Sequence, residues 1–121
     1  MNRIEEFTRD GKKFVYIDFS NLTTNDEINQ FIAQVKPVIS KYPQKSVYTI
    51  TNMDGLRFDK ETKEFIASYT ESNKPYVISG AIFGLDGLKK VMATAVFALS
   101  GRKDLAITNS KEEAIQILLK K

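Results

Sequence analysis

Of the 121 residues, 42% are hydrophobic and 27% are charged, with a formal net charge of +3; that suits one domain over residues 1–121 built round one core. Histidine and cysteine are both absent, which excludes a disulfide framework, thiol chemistry, and the commonest general base and transition-metal ligand. A zinc site would have to consist of carboxylates alone, against the preference of that ion.

Residues 3–9 followed by Asp10-Gly11-Lys12 read as a short strand and a hairpin turn, because Asp-Gly reaches positive φ readily. Phe14-Val15-Tyr16-Ile17-Asp18-Phe19 is apolar on both faces, the pattern of a central strand covered on two sides. Thr24-Asn25-Asp26-Glu27 has the form of a capping box. The helix it opens places Ile28, Phe31, Ile32, Val35, Val38 and Ile39 on one stripe. Pro37 lies on its polar side and predicts a kink or an early stop. Residues 46–52, SVYTITN, form a second buried-type strand. Asp59 then caps a helix with Phe65, Ile66 and Tyr69 on one side, which Lys74-Pro75 ends. Residues 76–83, YVISGAIF, are a third central strand, and a helix from about Asp86 to Ser100 follows, with Gly101 placed to terminate it. Leu105-Ala106-Ile107 is a short last strand. Ser110-Lys111-Glu112-Glu113 opens a final helix with Ala114, Ile115 and Leu118 inward.

The order is hairpin, helix, strand, helix, strand, helix, strand, helix. It predicts an α/β fold with a mainly parallel sheet of about five strands, the first of them in a hairpin, and four helices. Loops at the carboxyl ends of parallel strands are then the candidate sites. Asp18, Asp54 and Asp86 fall at or just beyond three such ends, where converging carboxylates could hold Mg²⁺. The plainer reading gives each a local role: helix cap for Asp86, turn residue for Asp54, satisfied strand end for Asp18. Gly84, Asp86, Gly87 and Lys89 could likewise cradle an anion at a helix start. The Gly-Lys-Ser/Thr of a phosphate loop is missing, and a tight strand-to-helix turn accounts for the same residues.

The helix after that turn is apolar on nearly every side. At 100° per residue Leu88, Val91, Met92, Ala95, Val96 and Leu99 make one core stripe. Ala93 and Phe97 then point away from it, with Lys90 nearby. They predict a small apolar interaction surface for a second copy, a partner or a lipid chain, unless Phe97 folds onto a neighbouring helix. Lysines occur in scattered pairs instead of one stripe, which reads as a solvated surface and not as a nucleic-acid footprint. No apolar run approaches the roughly 20 residues that span a bilayer. The start, Met1-Asn2-Arg3-Ile4-Glu5-Glu6, lacks the pattern of a signal peptide, so a cytoplasmic location is expected.

Three stretches carry a resemblance to a known family: FVYIDFSNL, VYTITNMDGLRFDKETKEFI and SGRKDLAITNSKEEAIQIL. Between about Lys12 and Leu119 the chain resembles STAS domains (sulphate transporter and anti-sigma factor antagonist). More narrowly it is similar to small stand-alone bacterial proteins of the STAS/CRAL-TRIO-like type. The resemblance implies a (β/α) superhelix and a non-enzymatic regulatory module that recognises a protein partner or itself, as a homodimer. The recognition surface would be the loop-and-helix face around residues 53–62 and 84–97. In the antagonists the helix after Phe-Asp begins with a serine that a partner kinase phosphorylates. Here that place reads Phe58-Asp59-Lys60-Glu61-Thr62, so Thr62 is the nearest phospho-acceptor and Glu61 would occupy the same helix-terminal field permanently. Some STAS domains bind nucleotide, but no residue here demands it, so no cofactor is expected. The CRAL-TRIO side of the resemblance offers the alternative of a carrier for a lipid or other small apolar ligand, although so short a chain leaves little material for a large cavity. An enzyme ranks third, since no nucleophile–base arrangement is present and fold alone does not supply function.

Overall fold

The Asp10-Gly11 turn closes a two-stranded hairpin in which both turn residues take positive φ, 52° and 77°, the twist that matches flanking strands. The computed structural model describes residues 3–99 and 104–121. The hairpin strands are β1 (Ile4–Arg9) and β2 (Lys12–Asp18); the chain continues through α1 (Asn25–Ser40), β3 (Val47–Asn52), α2 (Lys60–Asn73), β4 (Val77–Phe83), α3 (Gly87–Leu99), β5 (Leu105–Ile107) and α4 (Lys111–Leu119). The five strands lie in sequential order in one sheet, β1 antiparallel to β2 and the rest parallel.

Sequential parallel order has a consequence for the layers. Each right-handed crossover steps the same way across the sheet, so the connecting helices fall on one face. α1, α2 and α3 do so, packed side by side. They bury Val15, Ile17, Val47 and Ile82 beneath Ile28, Phe31, Val35, Ile66 and Val96. α4 follows the last strand, has no further strand to reach, and folds onto the opposite face against β3 and β4. There Ala114, Ile115 and Leu118 cover Phe14, Tyr48, Ile50 and Ala81. The alternation in β2 is thus apolar on both sides because both sides are covered, as the sequence predicts.

The capping box at Thr24 and Glu27 is present in full. At α4 the Ser110 hydroxyl accepts from the Glu113 N–H, but the Glu113 carboxylate takes the N–H of Asn109, so the return bond falls one residue early. Pro37 does not stop α1, which runs on to Ser40. The ring sits exposed on the solvent side, where its loss of one hydrogen bond is tolerated. The expected terminator Gly101 and the side chain of Leu99 lie outside the described residues.

The phase of α3 differs from expectation. Ala93 and Phe97 are buried, at 0% and 4% exposure, whereas Leu88 and Val91 are 73% and 67% exposed. Ala95 is exposed as well, and Met92 is half-buried. The inward stripe is therefore Met92, Ala93, Val96 and Phe97, one step round from the stripe the spacing suggested. Ala93, Val96 and Phe97 join the helix-side core, and a phenylalanine gains more from burial than a valine or leucine. The interaction surface expected from Ala93 and Phe97 is consequently interior; of that trio only Lys90 is at the surface.

Candidate functional site

The carboxyl ends of β2, β3 and β4 share one edge, and backbone hydrogen bonds stitch the loops that leave it. Phe19 N–H donates to the Asn52 carbonyl at 2.8 Å, Asn21 N–H to Asp54 at 2.9 Å, and Met53 N–H to Phe83 at 2.9 Å. Arg57 extends this lacing to the helices. Its N–H donates to the Leu22 carbonyl at 3.0 Å, its Nε lies 2.9 Å from Asp59 Oδ2, and its Nη2 donates to the Asn25 side chain. One guanidinium thus ties the first residue of α1 to the N-cap of α2. Nothing in the spacing singled out Arg57, because both of its partners are remote in sequence from one another.

Asp59 caps α2 as predicted. Its Oδ1 accepts from the Thr62 backbone N–H at 3.0 Å and from the Thr62 hydroxyl at 3.1 Å. These bonds, the backbone one foremost, hold the Asp59 carboxyl below its ordinary value of about 3.8. The ionised cap is therefore favoured by the fold. Its stabilisation is present above the unfolded pKa and is lost as pH falls through the lower folded value. The expected outcome is an unfolding midpoint that declines on acidification below the ordinary aspartate range, with a flatter decline in Asp59→Asn, measured by urea titration across pH.

The same geometry corrects the reading of Thr62. The residue is 0% exposed, and its hydroxyl is already spent on Asp59. A hydroxyl two positions later than the usual helix-start serine points inward, because that is more than half a turn at 100° per residue. The exposed positions here are Lys60 and Glu61, which carry no hydroxyl.

Gly84 proves structural. Its φ is +88°, and a Cβ there would stand 2.5 Å from Asp54 N and 2.9 Å from Asp54 Cα. The space a side chain would need there is filled by the neighbouring loop. Asp86, Gly87 and Lys89 do line a groove of about 550 Å³, but they share it with Phe58, Leu88 and Met92. A carboxylate, a lysine and three apolar side chains make this an apolar groove with one charge of each sign. Phe58 and Met92 fall within the expected face of residues 53–62 and 84–97, but nothing in the spacing singled them out as lining one groove.

The three aspartates lie at the same edge yet do not converge. Asp18 Oδ1 accepts the Ser20 N–H at 2.8 Å and lies 4.0 Å from Arg3 Nη1, while Asp54 and Asp86 are exposed on separate loops. Among the described residues no three acidic side chains are grouped to hold a metal ion. Local turn and ion-pair roles won at each position.

No family model and no curated protein matches the chain by sequence. Its fold, however, matches that of an anti-sigma-factor antagonist (STAS) domain protein from Planctomyces limnophilus, with a TM-score of 0.57 over 95% of this chain and 97% of that one. The chain has a STAS-like fold. The two sequences are 10% identical, so the STAS likeness resides in the path of the backbone. The mixed sheet with its single antiparallel pair and four helices belongs to that likeness. Among the described residues, no helix of this STAS-like unit is long and apolar enough to cross a membrane.

Proposed function

We propose that this chain is a regulatory module without catalytic chemistry that binds a protein partner through the outer face of α3 and the loops beside it. One observation supports this reading above the others: Leu88 and Val91 stand 73% and 67% exposed next to the groove lined by Phe58 and Met92. Each forgoes about 1.5–3 kcal/mol of burial that a partner would restore. The STAS-like fold supports the same class of role. With Thr62 buried, recognition would be constitutive instead of gated by a phosphate at that helix start. A second copy of the chain is one such partner.

The test is the double variant Leu88→Glu with Val91→Glu. Both positions are solvent-exposed, so its unfolding free energy should stay within about 0.5 kcal/mol of wild type. Its partner, captured from the native cell by the wild type, should be lost, and any self-associated mass in sedimentation should fall to the monomer. Retention of both the partner and the mass would end this reading.

A small apolar ligand is the second reading, favoured by the apolar lining of the same groove at Phe58, Leu88 and Met92. Mass spectrometry of natively purified protein separates the two: a stoichiometric co-purifying lipid supports the second.

A further inference from the structure

The lysines that lie scattered along the sequence are gathered by the fold at one edge. Lys12 and Lys13 open β2, and Lys45 and Lys74 stand just before β3 and β4. These three strands are parallel neighbours, so all four residues enter from the same side. α1 and α4 return to that side and end at Lys41 and Lys120, with Lys36 one turn earlier and Lys121 one residue later. Direct contacts agree. Lys45 Nζ donates to the Lys74 carbonyl at 3.3 Å, Lys12 Nζ donates to the Lys121 carbonyl at 3.2 Å, and the Lys13 and Lys41 ammonium groups stand 5.8 and 5.4 Å from the Tyr42 ring centre.

Part of this clustering has a local cause. Lys12 and Lys45 bond carbonyls at the ends of α4 and α2, and Lys41 lies 2.7 Å from Glu6. Lys36, Lys74, Lys120 and Lys121 are different: all are exposed, and their ammonium groups hold no bond or ion pair among the described residues. The acids at this edge are Glu6, already paired with Lys41, Asp10 in the hairpin turn, Glu71 in the last turn of α2 and Asp104 before β5. The first-turn acids of α1 and α2 lie at the opposite edge, with Asp18, Asp54 and Asp86, while Glu112 of α4 reaches back to Arg9. The protein is therefore electrically polarised along the strand direction.

We propose that this lysine edge docks the protein on an anionic lipid surface. The surface is separate from the α3 face and does not depend on what binds there. The charges spread across all three layers (α4, the sheet, and α1 with α2), which makes a two-dimensional patch instead of a stripe. A stripe tracks a nucleic-acid strand; a patch meets a plane. Arg9, which the hairpin brings to this edge opposite Lys12, lies 3.7 Å from Glu112, so the unpaired cations here among the described residues are lysines, which supply attraction without bidentate phosphate geometry. Tyr42 is half-buried beneath them and offers no stacking platform for a base. Leu88 and Val91, the most exposed large apolar side chains, are on α3, so attachment at the lysine edge is electrostatic and reversed by salt. Docked this way, the loops of the candidate site face away from the lipid.

The experiment is flotation of the full chain with vesicles of phosphatidylcholine, alone or with about 30% phosphatidylserine, at about 50 and 500 mM salt. Binding is expected only to the anionic vesicles and only at low salt. Each surface lysine contributes roughly five-fold, so Lys36→Gln, Lys74→Gln and Lys120→Gln together should weaken binding on the order of 100-fold. A matched triple at the other edge, Lys60→Gln, Lys63→Gln and Lys89→Gln, should retain it within a few-fold. Circular dichroism checks that both triples fold, and single variants at the same positions replace either triple that does not. Failure to bind anionic vesicles at low salt overturns the proposal. So does equal loss in the two sets, which would reduce the effect to net charge, or retention on duplex DNA with no vesicle binding, which would make the edge a nucleic-acid surface.

Discussion

Replacing Phe97 by alanine is expected to lower the unfolding free energy by about 3–5 kcal/mol, because the ring is 4% exposed and packs into the core under α3. For a domain of this size such a loss is a large share of the total. Phe97→Glu should go further and prevent folding, since it would bury an unpaired charge. The exposed-face reading of the same residue predicts the reverse: little change in stability, and at most a change in association. Urea unfolding of Phe97→Ala distinguishes them directly. A change below about 1 kcal/mol would place the side chain at the surface and refute the helix phase described above. Leu88→Ala serves as the reference, since an exposed leucine on the same helix should lose little.

Gly84→Ala is expected to destabilise by about 2–5 kcal/mol, from two additive causes. A non-glycine residue held at φ of +88° is strained by about 1–2 kcal/mol. The added methyl would also meet the Asp54 backbone at 2.5 Å, and overpacking of that kind costs about 1–3 kcal/mol. The neighbour is backbone, so it cannot swing aside as a side chain would. The loops after β3 and β4 must separate, and the Met53 N–H bond to the Phe83 carbonyl is the first at risk. The measurement is again denaturant unfolding, with amide exchange at Met53 as the local readout. Wild-type stability in Gly84→Ala would mean that the two loops do not touch, and the groove beside them would have to be redrawn.

The strands and helices were legible because each carried its own local signal. Asp10-Gly11 marked the hairpin, Thr24 with Glu27 marked the start of α1, and Asp59 marked the start of α2. Val15, Ile17, Ile50 and Ile82 are all buried, as their place in apolar runs required. The candidate site was legible only as a location. Asp18, Asp54 and Asp86 do lie along one edge, but whether they converge depends on loop paths that no spacing rule encodes. Gly84 was visible as a glycine that mattered, while its reason, the Asp54 backbone, comes from another part of the chain.

By itself the sequence determined the order of the elements and where α1, α2 and α4 start, because turns, caps and apolar periodicity act within a few residues of one another. Three matters were settled only by the tertiary structure. On α3 two apolar arcs competed, and packing against α2 and the helix-side core chose Ala93 and Phe97 over Leu88 and Val91. Thr62 turned inward because its rotation about α2 is set by which face of that helix meets the core. The lysines became a patch because parallel strands bring residues far apart in the chain to one edge. In each case the deciding interaction is long-range, and a pattern read over neighbouring residues has no access to it.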